Sequence, residues 1–318
     1  VPVDPAAPLA SAPAPATVTF VDPSTSTATV TAASLSRWQA ALPGAAWVTS
    51  GSLPALVVLQ TAFDRAVEPL LLPDAGVDLM RVSVHDVALD LLGTVSVGTQ
   101  TTSRLLTVSR QPHPLGTTVA VDVLVVAFAP GEQQPILRAC VTFLARAPRR
   151  RIAPAPIPTA VPGDDGAPRT TTATATATSP ATSVDELVLA VDAPARFSDA
   201  LGVHDPIHRD VDAARLAGLP APIVPTGGVI AIVWDALLRR GSGSMSSWRR
   251  LRVWPQHPIL GGDRLSVSVH GPDGDGVTLL RVRASDLPDD GTGDGTGDGT
   301  GDGPARGRLC LIARAERA

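Results

Sequence analysis

One plan occurs twice along this chain and limits the folds open to it: a single apolar helix and a run of alternating strands. In the first copy the helix is predicted over 53–71. Leu56, Leu59, Phe63, Ala66, Val67 and Leu70 recur there at three- and four-residue steps, one face of a helix. Pro54 suits its first turn. Over 78–145 the period changes. VDLMRVSVHDVALDLL, TTSRLLTVSR, TTVAVDVLVVAFA and PILRACVTFLARA alternate or run apolar, with turns at Gly93, His113-Pro114 and Pro130-Gly131. That is the pattern of an antiparallel meander. The second copy has a strand at 184–191, a helix over 227–240 and strands at 248–254, 263–270, 277–285 and 308–315. In GGVIAIVWDALLRR, Val229, Ile232, Val233, Ala236 and Leu237 share a face, the last turn is basic, and Gly241 is a stop.

A helix followed by about four strands is the order of a hotdog fold, in which a sheet wraps a central helix. Two copies predict an α+β double hotdog: two antiparallel sheets, each wrapping a central helix. The boundaries follow from composition. Residues 1–50 hold a Pro/Ala-rich linker (1–16), a hairpin over 18–30 and a helix over 34–42 capped by Ser34. The N-terminal hotdog occupies 51–146. Residues 147–183 are rich in Pro, Thr, Ala and Arg with no apolar face, a disordered linker. The C-terminal hotdog occupies 184–318 and carries a flexible Gly/Asp loop at 288–307. The Gly-Asp repeats of that loop lack the apolar residues that a calcium-binding β-roll needs for a core.

At 318 residues and 44% hydrophobic content the chain is long enough for two real cores. A net charge of −4 points away from nucleic acid, and no apolar run approaches a membrane span. Cys140 and Cys310 lie in separate strand-like contexts and read as buried thiols, which suggests the cytoplasm. The chain starts on Val and lacks a recognisable signal peptide, so a fragment or a trimmed product is expected.

Ionisable groups, turn residues and a helix start concentrate over 197–229, FSDALGVHDPIHRDVDAARLAGLPAPIVPTGGV. His204 and His208 are four apart, but a Pro lies between them and no third ligand is evident, so a metal site is not expected. Asp199, Asp210 and Asp212 suit solvated or capping roles, Asp210 at the start of DAARL. His85, His113, His257 and His270 have no evident partner. Trp47, Trp234 and Trp254 read as core or rim residues.

The run Asp205-Pro206-Ile207-His208 resembles the MaoC-like hydratase/dehydratase family, and more closely the dehydratase region of fungal and actinobacterial type I fatty acid synthases. The family pattern is roughly S-G-D-x-N-P-I-H-x-D, then A-R-x-A-G-L-x-x-P-I-V-H-G-M. Gly202, Pro206, Ile207, His208, Asp210, Ala214-Arg215-Leu216, Ala217-Gly218-Leu219 and Pro222-Ile223-Val224 match it without a gap. Weaker similarity extends to 18–44, to Val77–His85, and to Ile259–Leu265, which resembles a P-G-D-x-L turn.

The resemblance implies dehydration of a (3R)-3-hydroxyacyl thioester to a trans-2-enoyl thioester within fatty acid biosynthesis. It implies an acyl carrier protein or CoA as carrier, other synthase domains as partners, and no cofactor. It makes His208 the base, and a backbone N–H among Thr226, Gly227 and Gly228 the donor to the thioester carbonyl. Val203 stands where the pattern has its Asp, Asp205 where it has Asn, and Pro225-Thr226-Gly227 where it has H-G-M. His204 and Asp205 are the nearest substitutes for the missing acid. Three functions remain open: an active hydro-lyase, a catalytically impaired scaffold or acyl-binding domain, and a hotdog acyl thioesterase.

Overall fold

A computed structural model describes residues 16–19, 26–45, 53–72, 75–129, 132–147, 183–240, 248–271, 276–285 and 307–317. The linker predicted at 147–183 and the loop at 288–307 lie outside these residues except at their edges, as do Trp47, the Pro130-Gly131 turn and the Gly241 stop.

The N-terminal half runs β1 (Ala16–Thr19), β2 (Ser26–Thr29), α1 (Ala32–Ala41), β3 (Leu53–Pro54), α2 (Leu59–Leu71), β4 (Val82–Leu91), β5 (Thr94–Val95), β6 (Gln100–His113), β7 (Gly116–Ala129) and β8 (Glu132–Arg146). The C-terminal half runs β9 (Ser183–Val188), α3 (Ala193–Leu201), α4 (Val211–Leu216), α5 (Thr226–Arg240), β10 (Trp248–Pro255), β11 (Arg264–His270), β12 (Val277–Ser285) and β13 (Arg308–Arg317). Each half is a helix against an antiparallel sheet, and the fold is a double hotdog of the α+β class.

Several expectations are corrected. The two sheets are one, with eleven strands in the order β1-β6-β7-β8-β4-β10-β13-β12-β11-β9 and β2 also on β6; β3 and β5 pair separately. The halves join where β4 meets β10, with Leu89 opposite Leu251 and Val87 opposite Val253. These four side chains are buried, so the core continues across the join. Among the described residues of the predicted hairpin over 18–30, the two strands do not pair with each other. β1 and β2 both pair antiparallel with β6, β1 at Thr107–Arg110 and β2 at Gln100–Ser103. They therefore run end to end along one edge. The helix after them starts at Ala32, capped by Thr31. Ser34 occupies the third helical position, and its Oγ returns the bond to the Thr31 N–H.

The helix predicted over 53–71 begins later. Pro54 lies in β3, Ala55–Val58 form a 3-10 turn, and α2 starts at Leu59. α2 packs one face, with Leu59, Ala62, Phe63, Ala66 and Leu70 buried. α5 is different: every residue from Gly227 to Leu238 is buried. A helix apolar on most sides is a central one, and α5 is the wrapped helix of the C-terminal half.

α1 crosses to the other half and packs on α3. Trp38 meets Phe197 edge-on at 6.4 Å between ring centres. Arg37 donates to the Asp199 carbonyl at 3.3 Å and Arg196 to the Ala40 carbonyl at 3.4 Å. Among the described residues no helix is long and apolar enough to cross a membrane. Cys140 and Cys310 are free thiols, held as thiols by burial, which raises both pKa values.

Candidate functional site

α3 ends because Gly202 adopts the left-handed conformation (φ +72°), which a side chain disfavours. The chain then turns back through Val203, His204 and Asp205 into a 3-10 turn, Pro206–His208. Pro206 presets the backbone angle of that turn, and the Asp205 carboxylate accepts the Ile207 N–H at 3.1 Å. The next acid, Asp210, caps α4 by accepting from Asp212 and Ala213. The returning segment to α5 is pinned on two sides. The Ile223 N–H donates to Ile207 at 3.2 Å, and the Val224 N–H to Ile259 at 2.8 Å.

This framework seats His208, which is 8% exposed. Its Nδ1 lies 2.7 Å from the Ile223 carbonyl oxygen. A carbonyl only accepts, so Nδ1 carries the hydrogen and the neutral ring keeps its lone pair on Nε2. Burial pushes the His208 pKa below its ordinary 6.5, although the Ile223 bond and Asp205 oppose the shift and Arg209 adds to it. At pH 7 the ring is a neutral base with a fixed tautomer.

The other loop residues do not join it. His204 and Asp205 point to solvent, and Asp205 is occupied as a cap. Among the described residues neither is hydrogen-bonded to the His208 ring, although the Asp205 charge acts on it. His204 and His208 do not share a buried site, and among the described residues no three His, Cys, Asp or Glu side chains could hold a metal ion together. Val203 is half-buried and packs against the core. Its backbone is clamped. The Val203 N–H donates to the Ser198 carbonyl at 2.9 Å, and its own carbonyl accepts from Ser198 Oγ at 2.5 Å. Arg209 donates to that Ser198 hydroxyl at 3.2 Å and to Asp199 at 2.5 Å. Sequence reasoning missed this clamp, because Ser198 and Arg209 carry no motif signal.

The start of α5 supplies backbone donors, but not all three are open. The Gly228 N–H is spent on the Pro225 carbonyl at 2.8 Å. Those of Thr226 and Gly227, first in the helix, have no acceptor among the described residues. Both glycines sit in close packing, Gly228 against a rigid ring and Gly227 against a movable leucine. A Cβ on Gly227 would come within 2.7 Å of the Leu201 side chain, and one on Gly228 within 2.7 Å of the Phe197 ring. α3 therefore lies directly against the N-terminus of α5.

A cleft of about 250 Å³ opens where the halves meet. Arg37, Gln60, Thr61 and Asp64 line it from the N-terminal half, and Leu201 and Gly202 from the other. Partial burial of the Asp64 carboxyl at the cleft wall raises its pKa above the usual carboxylate value, against a hydrogen bond from Gln60, although the residue as a whole remains exposed. The available sequence signal was a cluster of polar and ionisable residues, Gln60, Asp64, Arg65 and Glu68, within an amphipathic helix.

No protein-family model matches the chain, and no curated protein sequence matches it. Solved structures do. HtdX of Mycobacterium tuberculosis is 17% identical over 93% of this chain and 100% of that one, with a TM-score of 0.61. A MaoC-like dehydratase from Phytophthora capsici is 15% identical over 93% and 95%, with a TM-score of 0.66. The peroxisomal multifunctional enzyme type 2 of Drosophila melanogaster is 13% identical over 92% of this chain and 48% of that one, with a TM-score of 0.59. At these identities the likeness is one of fold, and the structural neighbours of this double hotdog include MaoC-like dehydratases.

Proposed function

We propose that this chain is a MaoC-like hydro-lyase that removes water from a (3R)-3-hydroxyacyl thioester carried on an acyl carrier protein or CoA. The observation that carries the reading is His208: buried, neutral, with Nδ1 committed to Ile223 and Nε2 left basic. Nε2 takes the α-proton. The N–H groups of Thr226 and Gly227 donate to the thioester oxygen as it gains charge, each worth ~10²–10³-fold in rate where such a donor is well aimed. The dehydratase-region motif further supports a place within a type I fatty acid synthase, with other synthase domains as partners. The two free thiols accord with the cytoplasm.

The test is turnover of a (3R)-3-hydroxyacyl-CoA, followed as enoyl absorbance, with hydration of a trans-2-enoyl-CoA as the reverse. His208→Ala should abolish both. A folded wild-type protein that makes no enoyl product at any pH sinks the reading. One observation favours a second reading, a catalytically impaired acyl-binding domain of the synthase: Val203 puts no carboxylate at the loop position beside His208. Saturable acyl-thioester binding without turnover is its signature. Release of free acid from a plain acyl-CoA would instead make the protein a thioesterase.

A further inference from the structure

Loss of water from a 3-hydroxy thioester needs two proton transfers. A base takes the α-proton, and an acid protonates the departing hydroxyl. His208 supplies the first. Five acids of the C-terminal half already have structural partners. Asp199 is bound to Arg209, Asp205 caps the 3-10 turn, Asp210 caps α4, and Asp212 is an exposed partner of Arg215. Asp263 is buried against Arg308 and the Leu260 N–H.

Asp64 belongs to the other half, lines the inter-half cleft, is exposed, and accepts a hydrogen bond from Gln60, so it stands open to a ligand in the cleft. The wall facing it is the end of α3, Leu201 and Gly202, with Val203 next in the chain. Leu201 lines the cleft and also abuts Gly227, where an added Cβ would meet its Cδ2 at 2.7 Å. One leucine side chain thus stands between the cleft and the free N–H groups of α5. His208 does not line the cleft, so a substrate that reaches both groups displaces the Leu201 side chain. The cleft's polar lining of Gln60, Thr61 and Asp64 suits a hydroxyl group better than an acyl tail.

We propose that Asp64, from the N-terminal half, is the proton donor to the leaving hydroxyl, and that the inter-half cleft receives the hydroxyl-bearing end of the substrate. This rests on the dehydratase reading above. In the step, the Cα–H bond breaks toward His208 Nε2 and its electron pair forms the double bond. The C3–O bond breaks, and the oxygen leaves as water with the Asp64 proton. The imidazolium and the Asp64 carboxylate that remain are reset by proton exchange with solvent. The raised pKa of Asp64 keeps its proton available at higher pH than an ordinary carboxyl would.

The experiment compares the full chain with Asp64→Asn, Gln60→Ala, His208→Ala and the double variant Asp64→Asn/Val203→Asp, in both reaction directions. Asp64→Asn should lose ~10²–10⁴-fold in kcat with an unchanged melting temperature, the loss typical of a positioned acid. The basic limb of the wild-type pH profile should vanish with it. Adding Val203→Asp should restore part of the rate, because it returns a carboxylic acid to the loop side. Gln60→Ala should move the basic limb to higher pH, because the hydrogen bond it removes lowers the Asp64 pKa; a merely structural role would leave the limb in place. Asp64→Asn at the wild-type rate, with His208→Ala inert, overturns this assignment and leaves the dehydratase reading standing. An inert but folded wild-type protein overturns both.

Discussion

His208 Nδ1 and the carbonyl that holds it are fifteen residues apart in sequence, yet that one contact fixes the ring's tautomer. The pH consequence has a definite sign. The folded-state pKa lies below the ordinary 6.5, so the unfolded chain binds the proton more readily. The contribution of His208 to stability is present above about 6.5 and is lost as pH falls through the folded value. An NMR titration should find a His208 midpoint below 6.5 with Nδ1 protonated in the neutral form. A midpoint at or above that value would contradict the burial argument. His204 is exposed, and His204→Ala should leave turnover and stability unchanged, which distinguishes the two histidines in one assay. The motif named His208, but the sequence held no sign of its partner, because a backbone carbonyl has no side-chain identity to read.

At the scale of elements, the contact of α3 with α5 makes the two helix-start glycines unequal. Gly228→Ala drives a methyl into Phe197, a fully buried ring already set edge-on to Trp38. Overpacking of that kind costs ~1–3 kcal/mol, and denaturant unfolding should show it. Gly227→Ala meets the movable end of Leu201 instead and should cost less. A Gly228→Ala protein as stable as the parent would mean that α3 and α5 are not packed this closely. On α1, Thr31→Ala removes a reciprocal cap and should cost ~0.5–2 kcal/mol in the same measurement. The long elements were legible, α2 and β6 to β8 because apolar period reports one buried face, and α5 as a continuous apolar run between turn and stop signals. The edge segments were not. β1 and β2 carry β-branched residues around a Pro-Ser turn, a hairpin by local chemistry. Each finds its hydrogen bonds on β6 instead, and no local pattern encodes that choice.

At the scale of the molecule, the halves share a sheet, a core and a helix pair. Across the β4–β10 join, Arg252 meets Asp86 at 2.6 Å and Arg250 meets Asp90 at 3.0 Å on the outer face, above the buried Leu89, Val87, Leu251 and Val253. The expected outcome is a single cooperative unfolding transition, with fluorescence and circular dichroism coinciding. Two separated transitions would mean that the halves are independent. Asp90→Ala should cost only ~0.2–1 kcal/mol, since both partners of that pair are well solvated; the buried join carries more of the coupling than this ion pair does.

The sequence by itself determined the class of fold, the duplication, the two central helices and the loop that bears His208. These depend on periodicity and on short-range turn chemistry, which act between near neighbours. Tertiary structure alone decided that the two sheets are one. It also decided that Ile223 fixes the His208 tautomer, that Asp205 is spent as a cap, and that Asp64 of one half faces Gly202 of the other across a cleft. Each of these is a contact between segments distant in the chain or a choice among competing hydrogen-bond partners. Such choices depend on which groups packing brings within reach and which it leaves in water.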